Sequence, residues 1–165
     1  LVTHSRDEVY RLCERLMVLD NGIAVATGNT KEMFQNPIYV KVAQLTGCKN
    51  YSAARKINEN TVEALDWGIP LKVQAPIPPN LDTIGVRSRY FRPYTGSEEN
   101  KINFQVSGQT ESPFEWNVIF HTDKTNAEIW WQFSKEGFHG LPEYITVLPK
   151  HIHLLCTHDK ETNFS

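Results

Sequence analysis

Apolar and polar residues follow two textures along this chain. Up to about residue 50, apolar positions recur at helical spacing or in short blocks. LVTH at residues 1–4 predicts a short buried strand that emerges at a polar tip. Ser5 suits a helix N-cap, and Asp7 and Glu8 add negative charge to the first turn. Val9, Leu12, Cys13 and Leu16 then predict one apolar helix face, with Arg6, Arg11 and Arg15 on the solvated side. MVLD, NG and IAVAT predict a hairpin, because Asn-Gly accepts the positive φ angles of a type I′ turn. Asn29 or Thr30 suits the start of a short helix over KEMFQN, which Pro37 stops. IYVKVAQLTG predicts a second short helix with Gly47 at its C-terminal end.

From Tyr51 onward the pattern shifts to short alternating runs. TVEAL, DWG and LKVQ predict another hairpin, and APIPPN is a proline-rich connector. TIGVRSRYF, KINFQV, EWNVIFHT, AEIWWQF, EYITVL and HIHLLC follow at short intervals, several alternating as half-buried strands do. Short strands with frequent turns predict a small barrel or sandwich. No internal repeat and no low-complexity tract stands out.

Composition narrows the class. The 165 residues suffice for one ordinary domain or two small ones. With 40% apolar and 22% charged residues the chain is globular rather than disordered. A net charge of -2 gives no basic footprint, so nucleic acid is not an expected partner. No apolar run approaches the roughly 18–20 residues of a membrane span, and no signal-peptide pattern opens the chain. Cys13, Cys48 and Cys156 are odd in number and widely spaced, which fits a reducing compartment and no disulfide framework. The first residue is Leu rather than Met, which leads us to expect a piece of a longer chain.

Candidate chemistry sits in four places. His4, at a predicted strand tip before a capped helix, stands where open α/β sheets carry ligand sites. A histidine there is also an ordinary surface residue. VRSRYFRP holds the densest basic group. As a strand it would put Arg87 and Arg89 on one face with Arg92 near the end, a set suited to tetrahedral oxyanions. The plain alternative pairs those arginines with carboxylates such as Glu98 and Glu99. Trp116, Trp130, Trp131 and Phe133 offer core or interface area, with Trp130 and Trp131 on opposite faces of a strand. In HIHLLCTH, His151 and His153 would share a strand face, with His158 or Cys156 nearby. Cys156 would point the other way, so no metal is expected.

One stretch resembles a known family. Thr3-His4, Asp7-Glu8-Val9, Glu14-Arg15, Val18 to Gly22, Gly28 and Glu32 to Pro37 fall in the order found at the end of the ATPase subunit of ABC importers. Val9 stands where that family usually has Ala, and Asn29-Thr30 where Thr-Pro is common. AQLTGCKN, TVEALDWGIPLKV and IPPNLDTIGVRSRYFRP look like the molybdate-type subgroup, which carries a C-terminal regulatory domain of the TOBE kind. The resemblance is clear to about Pro93 and looser beyond.

The resemblance implies an α+β chain. Residues 1–49 would be the C-terminal remnant of an α/β P-loop ATPase domain, 50–157 a small all-β barrel of the OB/TOBE kind, and 158–165 a tail. It implies that His4 is the switch histidine that contacts the ATP γ-phosphate in the full-length parent. That parent would hold ATP and Mg, pair as a homodimer, join membrane permease subunits and sit at the cytoplasmic face of the cell membrane. Molybdate or tungstate would be the regulatory ligand, and the remnant is expected to pack on the β-domain, pair with a second copy or move. The chain contains no G-x-x-x-x-G-K-[ST] loop, no LSGGQ-like signature and no apolar strand ending in acidic residues. One histidine does not position a nucleotide for phosphoryl transfer. Purified chain mixed with ATP and Mg is therefore expected to release no phosphate above buffer; ATP-dependent release would overturn this.

Overall fold

The computed structural model describes residues 2–157. The Ser5 hydroxyl accepts from the Glu8 N–H at 3.4 Å and caps α1 (Arg6–Leu12) as expected. Of the strand expected at residues 1–4, the described residues 2–4 form none. Val2 is 96% exposed, and no described strand runs beside it to supply the ladder bonds a strand needs. The apolar face of α1 is likewise uncovered, with Leu12 72% exposed and no buried residue in the helix.

β1 (Arg15–Asp20) and β2 (Ile23–Asn29) form the expected hairpin, with φ of 50° at Asn21 and 78° at Gly22. The Asn29 side chain accepts from Glu32 N–H and caps α2 (Thr30–Gln35). α3 (Val40–Leu45) ends before Gly47, whose φ of 100° turns the chain sharply. Val18, Val25 and Val42 make a small core of their own.

The rest of the chain is β3 (Asn50–Asn58), β4 (Thr61–Ala64), β5 (Ile69–Lys72), β6 (Thr83–Val86), β7 (Phe91–Pro93), β8 (Lys101–Glu111), β9 (Glu115–Thr122), β10 (Ile129–Ser134), β11 (Tyr144–Val147) and β12 (Ile152–Leu155). They build two five-stranded antiparallel sheets, ordered β10-β9-β8-β11-β7 and β12-β6-β3-β4-β5. The barrel that the resemblance implied is not formed; the sandwich, the other outcome of the strand pattern, is. The sheets meet through side chains, with no ladder joining their edges, and share one core that includes Val62, Leu71, Ile84, Val118, Phe120, Trp131 and Ile145.

A repeat invisible in the sequence organises the sandwich. β3–β6, a 3-10 turn (Ser88–Tyr90) and β7 are followed by β8–β11, a 3-10 turn (Pro149–His151) and β12 in the same order. β7 pairs with β11, and β12 pairs with β6. Each half thus gives its last strand to the other half's sheet. Where the two crossing turns meet, Tyr90 stacks on His151 with ring centres 4.1 Å apart and planes 12° from parallel. β3 was not expected from the sequence because its buried positions, Asn50, Ser52 and Ala54, are polar or small and show no hydrophobic alternation.

Equivalent asparagines fasten the halves. On β3, Asn50 stands opposite Val86 and donates to the Val86 carbonyl at 3.1 Å. The same carboxamide donates to the Trp130 carbonyl at 2.8 Å and accepts from the Trp130 N–H at 2.7 Å, on edge strand β10 of the facing sheet. Asn100 repeats this. It donates to the Val147 and Lys72 carbonyls at 3.0 and 2.9 Å and accepts from the Lys72 N–H at 2.7 Å, on edge strand β5. Each carboxamide acts as a peptide group from a missing neighbour strand. Removing the buried Asn50 carboxamide leaves a partly buried peptide unpaired. Asn50→Ala is expected to lower unfolding free energy by about 3 kcal/mol in urea titration; an unchanged midpoint would show the pin to be idle.

Candidate functional site

The N-terminal segment docks on the sandwich and leaves a cleft of 780 Å³ between them. Two bonds join the segment to the strand end of β12: Val40 N–H to the Cys156 carbonyl at 3.2 Å and Cys156 N–H to the Ile38 carbonyl at 3.0 Å. Ala43, Cys48 and Leu155 share a small core beneath them. Arg87 makes the deepest link. Its Nη1 donates to the Thr46 carbonyl at 2.5 Å, and its Nη2 to the Phe34 carbonyl at 2.6 Å and the Thr46 hydroxyl at 3.3 Å. Of the three fates expected for the segment, packing on the β-domain is the one seen.

The predicted arginine set is partly assembled. The expected strand through VRSRYF stops at Val86, because the Tyr90 N–H folds back to the Arg87 carbonyl at 2.9 Å and closes a 3-10 turn. Arg87 and Arg89 therefore do not share a strand face, yet both line the cleft. Arg92 is not with them; its guanidinium pairs with the Glu98 carboxylate at 3.6 Å, while Glu99 pairs with Lys72. His4, exposed at the bend before α1, lines the same cleft with Arg6 and Lys49, two residues the sequence reading did not connect to it. Only the docking of segment on sandwich brings them together.

Among the aromatics, Trp131 is core at 2% exposure and Trp130 points outward at 38%, as alternation predicts. Phe133 packs on Trp131 and Phe138, and Trp116 faces Phe138 and the Lys135 ammonium. HIHLLC departs from expectation. His151 ends the second 3-10 turn and stacks on Tyr90, and only Ile152–Leu155 is strand, so the two histidines are not a same-face pair. Cys156 Sγ accepts from the Asn80 amide at 3.3 Å, and His158 lies outside the described residues. Among the described residues no group of three His, Cys, Asp or Glu is placed to hold a metal. Burial raises the Cys48 thiol above its usual range and pushes the Tyr51 phenol up, so neither is an activated nucleophile.

The site thus offers fixed positive charge and hydrogen-bond donors, a recognition chemistry rather than a proton-transfer one. Over 72 residues the chain is 38% identical to the sn-glycerol-3-phosphate import ATP-binding protein UgpC of Escherichia coli O1:K1, covering 42% of this chain and 20% of that protein. It is 32% identical over 65 residues to the methionine import ATP-binding protein MetN 1 of Bacillus cereus, covering 39% and 18%. A 37-residue stretch is 46% identical to MetN of Haemophilus ducreyi, covering 22% and 11%. These partial relatives are ATP-binding subunits of ABC importers. The chain spans about a fifth of the length of the curated relatives it matches. Their names specify glycerol phosphate and methionine, so the molybdate subgroup finds no support among them. No family model matches the chain. No helix among the described residues is long and apolar enough to cross a membrane.

His153 carries a consequence for stability. It is 8% exposed, its Nε2 has no partner, and burial, with Arg87 and His151 adding to it, depresses its pKa to about 4. An unfolded imidazole takes up its proton below about 6.5. Between those values the unfolded chain binds more protons than the native one, so stability falls as pH drops. The loss reaches about 3 kcal/mol by pH 4. Denaturant titrations from pH 7 to 4 are expected to show this slope, and His153→Leu to flatten it; parallel pH profiles would exclude His153 as its source.

Proposed function

We propose that this chain is the regulatory C-terminal part of the ATP-hydrolysing subunit of an ABC importer. The observation that carries the reading is the ordered set from His4 to Pro37, which folds into the capped helix, type I′ hairpin and second capped helix expected of such a tail. The partial identity to UgpC and MetN supports it. In the parent protein, two copies would hold ATP and Mg between their nucleotide domains at the cytoplasmic face of the membrane, against permease subunits. His4 is the one residue of this chain that would belong to that ATP site. The other phosphate-gripping parts are absent from this sequence, so the residues present do not fit ATP by themselves and no hydrolytic step is assigned to them.

The β-sandwich would supply regulation. The finer reading takes a tetrahedral oxyanion such as molybdate or tungstate as its ligand, held by Arg87 and Arg89 without Arg92. The outward-facing Trp130 is available to a pairing surface between copies. The native coding sequence ahead of Leu1 tests the main reading. A P-loop, a signature motif and an acidic strand end are expected there, and a reading frame without them overturns it. Light scattering tests the pairing: a dimer mass is expected, and monomer alone at high concentration removes that part.

A further inference from the structure

The cleft between segment and sandwich holds a concentration of unpaired positive charge. Among the described residues seven lysines and arginines make ion pairs: Lys41, Arg55, Lys56, Lys72, Arg92, Lys124 and Lys135. Nine described lysines and arginines make none, and four of them, Arg6, Lys49, Arg87 and Arg89, line this cleft together with His4 and Asp7. Two guanidinium groups converge on one point. Arg6 Nη1 lies 2.5 Å, and Arg87 Nη1 3.5 Å, from where a side chain on Gly47 would begin. Only a residue without Cβ leaves that point open.

Like charges brought this close repel, and the half-buried Arg87 donates to carbonyl and hydroxyl oxygens rather than to a carboxylate. The 3-10 turn itself does not demand a cation there, because the equivalent position in the second half is Leu148, although Arg87 also fastens the segment. Guanidinium groups on opposite walls suit a tetrahedral dianion, which accepts from several donors at once. The volume, 780 Å³, far exceeds a bare tetrahedral ion of about 60 Å³ and falls within the usual range for small-molecule sites. Tyr10 and Phe34, edge to face at 5.2 Å, line the same cleft and offer an apolar wall.

We propose that this cleft binds an organic phosphate, its phosphate bridging Arg6 of the N-terminal segment to Arg87 and Arg89 of the sandwich and its body resting on Tyr10 and Phe34. The ligand clamps the segment that carries His4 to the regulatory sandwich. This deepens the anion reading of Arg87 and Arg89 and rests on it, while standing apart from membership in an importer.

Calorimetry on the intact chain tests it, with phenyl phosphate, inorganic phosphate and molybdate as separate titrants. Phenyl phosphate is expected to bind at least about tenfold more tightly than either inorganic ion. Arg6→Gln and Arg89→Gln, changes at exposed residues outside any ion pair, are each expected to weaken it by about tenfold or more without moving the melting midpoint. Arg92→Gln should leave binding unchanged. Molybdate binding as tightly as phenyl phosphate would retain the oxyanion reading and overturn this one. Phenyl phosphate binding that ignores Arg6→Gln would overturn the bridge. No heat from any titrant at millimolar concentration would overturn both anion readings and leave the importer reading standing.

Discussion

Each half of the sandwich is completed by a strand that the other half supplies, and two asparagine carboxamides hold the exchange in register. A three- or four-residue strand such as β7 or β12 has too few ladder bonds to stand alone. Placed as the fifth strand of the opposite sheet, it closes the core and ties both halves into one unit. Asn50 and Asn100 then cover the open edges of β10 and β5, where unpaired peptide groups would invite slippage. The stacked pair Tyr90 and His151 sits where the two crossings meet. The remainder of the structure is built on this frame: the β12 end that receives the N-terminal segment, and the first crossing turn that presents Arg87 and Arg89.

The segment is held to the sandwich by a few specific contacts. Its own core is three valines and a fringe, too small to order two short helices and a hairpin alone. Arg87 reaches from the first crossing turn into the carbonyls of Phe34 and Thr46, which lie at or just past the ends of α2 and α3, where helix carbonyls lack partners. One guanidinium thereby satisfies the ends of two helices and fixes the segment against the sandwich. The same geometry sets Arg87 opposite Arg6 across Gly47 and creates the cleft. Attachment and recognition thus share a residue, and a ligand at the cleft would act on the joint itself. The exposed Leu12, Met17, Leu19 and Ile23 show that much of the segment's apolar surface finds no cover among the described residues.

His151, His153 and Cys48 serve packing. His153 is buried neutral inside the second half, and His151 is a stacking surface. Cys48 lies under Tyr51, whose hydroxyl donates to the Cys48 carbonyl at 2.8 Å. Gly85 permits this packing: a Cβ there would stand 3.0 Å from Leu155 and 3.1 Å from the Cys48 sulfur. The junction below α3 is therefore close-packed, while the cationic cleft beside it is open.

The sequence by itself determined what depends on neighbours a few residues apart. Ser5 as a cap, a second cap at Asn29 or Thr30, Asn21-Gly22 as a type I′ turn, and the alternation that sets Trp130 and Trp131 on opposite faces were all legible, because each is set by local backbone geometry. The family resemblance of the first 37 residues was legible for the same reason, since its motifs run in order along the chain. The tertiary structure alone decided the strand exchange, the equivalence of Asn50 and Asn100, and the convergence of Arg6 on Arg87. Those features join residues separated by tens of positions, and no local rule fixes which partner a polar side chain meets once the chain has folded. Short strands left barrel and sandwich open for the same reason: the choice between closure and crossing is made at the two 3-10 turns, whose sequences RSRYF and LPKHI share almost nothing.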